Sequence, residues 1–300
     1  MIKAQKDKLT FRNVKAVTSE GETVTLTFRK HPNQNEYLKC ENYWIRNFAG
    51  TNVNPVDVNK FFRQEEVSYL VDNEVRNSNH RYPVLEPELF NRFKDVLIVG
   101  DGLGFDQHKL FKMARPNLCC ITVNSAARFW QASLPIEFLI VNNPSSTAMN
   151  GLPIRNHPKL IANRKTHYPF IKNYKNIIYL YDSVADEEYQ TSMSKNSDLH
   201  LDDYRNPICA AISLAHKYCK GNLYLAFCSS GYPEEKDGAI KVDENFYQYP
   251  AQKTADSIVD GNLFWYNFAN RDSKIFHTGI KNTLKFSKYL DVNDFIESIL

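Results

Sequence analysis

The chain has 300 residues, of which 24 % are charged and 43 % hydrophobic, and a formal net charge of +3. That is enough chain to bury a sizeable core, and the mix is that of a globular protein. The small net charge, with no long basic run, excludes an electrostatic footprint for nucleic acid.

No apolar stretch approaches the roughly 20 residues needed to cross a bilayer. Met1-Ile2-Lys3-Ala4-Gln5-Lys6 carries no apolar signal core, so the expected location is the cytoplasm. Cys40, Cys119, Cys120, Cys209, Cys219 and Cys228 include no CxxC pair. The eight histidines form no HExxH, so no dedicated metal site is expected.

In chain order, residues 1–90 form an accessory region. Leu9 to Val17 and Thr23 to Arg29 predict a β-hairpin, with Val24, Leu26 and Phe28 on one buried face. Residues 31–57, rich in Asn and Pro, read as loop, and Asn59 to Asp72 as a helix. Tyr37, Tyr43, Trp44 and Phe48 suit a local core.

From about Asn91 strands and helices alternate. Val96 to Val99 is a short run, apolar on both faces, that ends in Gly100-Asp101-Gly102-Leu103-Gly104 and leads into a helix near 105–114. Strand 119–123 ends in Asn124, and Ser125 caps a short helix. Strand 137–141 ends in Asn142-Asn143-Pro144. Short strands are expected at 160–162 and 177–181. Residues 182–204, polar and poor in branched apolars, read as a mobile loop or lid.

Pro207 opens a helix to about Tyr218, with Ile208, Ala211, Ile212 and Ala215 as its buried stripe. A strand over 222–227 leads into Cys228-Ser229-Ser230-Gly231-Tyr232. A polar loop then runs to about Ala251, followed by a helix over 252–268, a strand over 274–277 and a final helix over 291–300. The fold class is α/β: residues 91–300 form a doubly wound, mostly parallel, Rossmann-like sheet beside an N-terminal β-hairpin and helix region.

The chemistry is expected beyond the carboxyl ends of the strands. Gly100, Asp101, Gly102 and Gly104 let a ligand approach the backbone, and the next helix would offer its amides to an anion. The match to GxGxxG fails at Phe105, no GK[ST] follows, and a plain turn would use the same glycines. Asn124, Asn142 and Asn143 present donor and acceptor together, which suits a pyrimidine edge or ribose hydroxyls. Asparagines also serve turns for their own sake. Ser229, Ser230 and Tyr232 end a strand that could face the same crevice. Tyr247 and Tyr249 could reach a phosphate. Glu234, Glu235, Asp237 and Asp243 suit a solvated face, and His277 a satisfied strand end.

Taken together, the GxG turn, the strand ending in Val-Asn, the strand ending in Asn-Asn-Pro and the segment NPICAAISLAHKYCKGNLYLAFCSSGY resemble the DUF115 proteins. That family includes the motility accessory factors and the MptE-type 6-hydroxymethylpterin diphosphokinases. The outline, over about residues 95–290, is also similar to the sialyltransferases of glycosyltransferase family 42.

The second resemblance implies a metal-independent glycosyltransferase with no required cofactor and a CMP-linked sugar donor. Gly100, Asp101, Gly102, Gly104, Asn124, Asn142, Asn143, Ser229 and Ser230 would then hold the nucleotide. Tyr232 and Tyr249 would stabilise the leaving phosphate. The family's basic histidine is missing, the matching segment reading Tyr247-Gln248-Tyr249-Pro250-Ala251, so a lid residue such as His200 would have to substitute. The MptE-like alternative implies Mg-ATP, for which Asn142-Asn143 are weak ligands. The remaining alternative is a non-catalytic nucleotide- or glycan-binding protein. Expected partners are a nucleotide-activated sugar, a glycan or protein acceptor and, peripherally, a membrane, but not nucleic acid.

Overall fold

The structure, a computed structural model, describes residues 10–17, 23–30, 36–40, 43–47, 73–102, 111–113, 115–127, 135–143, 157–183, 198–204, 206–269 and 273–300. The first four segments form an antiparallel meander of β1 (Thr10–Val17), β2 (Thr23–Lys30), β3 (Glu36–Cys40) and β4 (Tyr43–Asn47). The expected hairpin is its first half, in register Val14 to Leu26. Strands β3 and β4 fall where the Asn- and Pro-rich composition suggests loop. Tyr37, Tyr43, Trp44 and Ile45 supply the strand propensity there. The burial of Val24, Leu26 and Phe28, and the helix expected over 59–72, lie outside the described residues.

The main body is built on nine strands: β5 (Asp95–Val99), β6 (Leu118–Val123), β7 (Phe138–Val141), β8 (Lys159–Asn163), β9 (Ile178–Ser183), β10 (His200–Leu201), β11 (Leu223–Ala226), β14 (Ile275–Thr278) and β15 (Lys288–Tyr289). Every neighbouring pair is parallel, in the order β10-β9-β8-β7-β6-β5-β11-β14-β15. Strands β6, β7 and β11 are buried at every residue, as a parallel sheet covered on both faces requires. The doubly wound α/β architecture is thus present, and the described main sheet is wholly parallel.

The chain steps outward from β5 to β10, then returns to the other side of β5 to lay down β11. Strand order therefore reverses between β5 and β11. In open α/β sheets this reversal splays the strand-end loops apart and leaves a crevice at the carboxyl ends.

Besides the helical residues 73–78, the described helices around this sheet include α1 (Tyr168–Lys172), α2 (Pro207–Tyr218), α3 (Pro250–Ala269) and α4 (Val292–Ile299). Helix α2 starts at Pro207 because Asn206 accepts the Ile208 N–H with its side chain. It lies over β5, β6 and β7, and α3 packs against it. Asp291 caps α4 by accepting the N–H groups of Asn293 and Asp294. Phe90 sits at the centre of the core, stacked 5.0 Å from Phe138 and 5.1 Å from Tyr218. Each such pair contributes about 1 kcal/mol beyond its burial.

Three expectations change. Residues 73–90, expected in the accessory region, are joined to the main sheet. Asn77 donates to the carbonyls of Arg164 and Thr166, both at 2.8 Å, and Leu85 and Phe90 are core residues. The polar loop up to Ala251 contains the hairpin β12 (Ile240–Asp243) and β13 (Phe246–Gln248). Of the supposed lid, residues 182, 183 and 198–204 belong to the body, where β10 pairs with β9 and Asp203 is buried; residues 184–197 lie outside the described residues.

Candidate functional site

The crevice begins where β5 meets β11. The N–H of Gly100 donates to the carbonyl of Ala226 and that of Gly102 to the carbonyl of Phe227, both at 2.9 Å. The two backbones lie so close that a Cβ on Gly102 would come within 2.6 Å of the Phe227 oxygen. A Cβ on Gly100 would collide with the same oxygen. These glycines are thus required by backbone-to-backbone packing. Their amides already have acceptors at the end of β11. Asp101 stands exposed between them. Gly104 lies outside the described residues. So does the helix expected near 105–114, except for a short 3-10 turn at Phe111–Met113.

The ends of β6 and β7 meet through their asparagines. Asn124 adopts a left-handed backbone, φ 38°, which asparagine tolerates better than most residues. Its Oδ1 accepts the Asn142 N–H at 3.3 Å, and its Nδ2 donates to Asn142 Oδ1 at 3.4 Å. This leaves the Asn142 Nδ2 buried and without an acceptor among the described residues. An unmet donor of this kind costs roughly 1–3 kcal/mol, a deficit that a bound acceptor would remove. The backbone carbonyl of Asn143 accepts the His167 N–H at 3.1 Å and joins β7 to the loop after β8.

On the other side of β5, Phe227 turns the chain out of β11 with φ 56°, a left-handed conformation for a bulky, buried residue. Its N–H donates to the Thr278 carbonyl at 3.1 Å. Ser229 follows, 2 % exposed, with an Oγ that has no partner among the described residues. The Ser230 N–H donates to Asp256 on α3, at 3.3 Å to Oδ1 and 3.4 Å to Oδ2. The Gln248 amide ties these groups together by donating to both the Ser230 carbonyl and Asp256. Tyr232 pairs with Tyr247 through two backbone hydrogen bonds of 2.7 and 2.8 Å. That pairing sets the Tyr232 ring edge-to-face with Tyr249 at 5.5 Å, with the Lys236 ammonium 4.7 Å from the Tyr232 ring.

Sequence reasoning missed Asp256. It is 4 % exposed, and burial pushes its carboxyl up to about 7. The hydrogen bonds from Gln248 and Ser230 pull it down, and the charge of Asp260 pushes it further up. The available signal was periodicity. Asp256, Val259, Asp260, Leu263 and Tyr266 lie on one stripe of α3, so two carboxylates occupy core-facing positions.

Other expected residues go elsewhere. His200 lies in β10, five strand spacings or about 24 Å from β5. That distance removes it as a base for this crevice. His277 is buried in β14. Its Nδ1 meets Ser287 Oγ at 2.7 Å, and that hydroxyl already donates to the Leu284 carbonyl, so Nδ1 carries the proton. Nε2 is left with no partner among the described residues, and burial lowers the imidazole to about 4. Asp203, beyond β10, accepts from Tyr181, Asn163 and Ser183 at 2.9, 3.1 and 2.7 Å. It is a bonded structural centre. Glu234, Glu235 and Asp237 are exposed, as a solvated face requires. Among the described residues no three His, Cys, Asp or Glu side chains gather as a metal-binding group.

The arrangement is an apolar floor with an asparagine pair on one side of β5 and a tyrosine pair on the other. Comparison of the chain with family models, with curated proteins and with solved structures finds no match.

Proposed function

We propose that the chain is a nucleotide-sugar-dependent glycosyltransferase that takes a CMP-linked donor, without a metal, over the carboxyl ends of β5, β6, β7 and β11. The observation that carries this reading is the unmet Asn142 amide at the carboxyl end of β7, two strands from the reversal of strand order. Cytosine presents two acceptors and an amino donor along one edge, and the unmet Asn142 Nδ2 offers a donor to those acceptors. The resemblance of the strand-end motifs to the family 42 sialyltransferases supports the same assignment.

In this reading an acceptor hydroxyl attacks the anomeric carbon, the bond from that carbon to the phosphate oxygen breaks, and CMP leaves with the hydroxyl proton passing to its phosphate. Tyr232 and Tyr249 donate hydrogen bonds to the departing phosphate, and Lys236 adds positive charge beside them. Ser229 and Ser230 line the phosphate end. Asp256 is a positioning residue, because it fixes the Ser230 backbone and, through Gln248, the strand that leads to Tyr249.

Calorimetry with CMP, CDP, UDP, GDP and ATP, with and without Mg²⁺, tests the reading. CMP binding without metal, weakened about tenfold in Asn142→Ala, is the expected result, since one good hydrogen bond is worth about 1.5 kcal/mol. ATP binding only with Mg²⁺ would replace the reading with a diphosphokinase. Binding of none would leave a glycan-binding scaffold. Slow hydrolysis of a CMP-sugar then separates an enzyme from a nucleotide-binding protein.

A further inference from the structure

The second half of α3 and the loop before β15 form an apolar face apart from the residues assigned to the crevice. Phe264 is 43 % exposed, Trp265 65 % and Phe286 45 %. Their rings meet edge-to-face, Phe264 lying 5.7 Å from Trp265 and 5.2 Å from Phe286. The support beneath them is firm. The Phe286 N–H donates to the buried Asp260 carboxylate at 3.2 Å. Thr283 Oγ1 donates to the Ile280 carbonyl and Ser287 Oγ to that of Leu284, each at 3.0 Å. Single exposed aromatics are ordinary on a protein surface, whereas a preassembled cluster of three marks a binding face.

The charge around the cluster identifies what it binds. Residues 273–290 hold four lysines and no Asp or Glu. All four, Lys274, Lys281, Lys285 and Lys288, are exposed. Both acidic residues of α3, Asp256 and Asp260, are buried, so its exposed positions carry no carboxylate. Aromatic rings together with ammonium groups match the boundary between headgroups and acyl chains, where Trp and Phe insert and Lys meets phosphate. Aromatic side chains alone would serve a protein groove. The lysines of the 281–288 segment, beside an α3 surface that exposes no carboxylate, are what favour an anionic sheet.

We propose that Phe264, Trp265 and Phe286, with Lys281 and Lys285 on the segment that carries Phe286, seat the protein on the surface of an anionic bilayer. The attachment is peripheral, and among the described residues no helix is long and apolar enough to cross a membrane. Phe264 lies eight residues from Asp256 along α3, about 12 Å of helix rise. The seating itself does not depend on the nucleotide reading.

The test is sedimentation of the full chain with phosphatidylcholine vesicles and with vesicles enriched in phosphatidylglycerol. Binding to the anionic vesicles, weakened by salt, is expected. Lys281→Ala with Lys285→Ala should lower that binding about 30-fold, and Trp265→Ala with Phe286→Ala should abolish it, with far-ultraviolet circular dichroism unchanged. No preference for anionic lipid, or equal binding by the aromatic variant, overturns the proposal. So does a dimer in solution that Trp265→Ala converts to monomer, because the face would then belong to a second copy of the chain.

Discussion

The Gly102 amide donates across 2.9 Å to the carbonyl of Phe227, which presents it from a left-handed backbone. The reversal of strand order is thus held by a strained residue on one strand and a residue without a side chain on the other. A left-handed conformation costs a non-glycine residue about 1–2 kcal/mol. Phe227→Gly and Phe227→Ala lose the same packing, but only glycine is relieved of that strain. Phe227→Gly should therefore unfold at higher urea than Phe227→Ala, by about 1 kcal/mol, the reverse of the usual order.

Two glycines should respond oppositely to alanine. In Gly102→Ala the new methyl meets the backbone oxygens of Phe227 and Ser229, which cannot rotate away. Urea denaturation should show a loss of about 1–3 kcal/mol, accompanied by weaker CMP binding. Gly261 lies inside α3, where an added methyl would have open space for 4 Å around it. Gly261→Ala should gain about 0.5–1 kcal/mol through helix propensity alone.

Asp256 and His277 give opposite slopes of stability with pH. The native Asp256 carboxyl is raised to about 7, whereas an unfolded one titrates near 4. Between those values the native state holds the extra proton, so stability falls as pH rises. His277 is lowered to about 4 against about 6.5 unfolded. There the unfolded state holds the extra proton, so stability falls as pH drops. Each slope is at most about 1.4 kcal/mol per pH unit, and between pH 4.5 and 6 they largely cancel. Urea midpoints across this range should show Asp256→Asn losing stability toward acid more steeply than the parent, and His277→Gln losing it less.

Arg164 donates through Nε to both oxygens of Asp182, at 3.2 and 3.1 Å, with the carboxylate almost wholly buried. Arg164→Met strands that charge and should destabilise the protein by about 3–5 kcal/mol in urea. Asp182→Leu in the same background should restore much of the loss, because an apolar pair needs no desolvation.

The sheet was legible wherever burial on both faces writes a continuous apolar run. Val96 to Val99, Cys119 to Val123 and Phe138 to Val141 are of this kind, and their order with Asn222 to Phe227 implied a doubly wound fold. The short outer elements were not legible. His200–Leu201 and Lys288–Tyr289 are two-residue strands whose pairing comes from neighbours distant in sequence. Ile240–Asp243 and Phe246–Gln248 form a hairpin in which several residues are solvent-facing, so no apolar run announces it. In the crevice, the residue types at the strand ends could be read, but their partners could not. Asn142 and Asn143 look alike in sequence, yet one keeps an unmet donor and the other joins two loops. Asp256 resembles any polar residue of an amphipathic helix until the side on which the sheet lies is known.

The placement of β11 also bears on how the chain is made. Strand β5 is central in the finished sheet, yet the strand on one of its sides begins only at Leu223, and Val99 and Leu223 lie 124 positions apart. At about 5–20 residues per second, a ribosome needs roughly 6–25 s to cover that distance. For that interval β5 is an edge strand, apolar and with backbone groups unpaired, the state from which chains join one another. The nascent protein therefore needs that edge shielded until Phe227 emerges to close it.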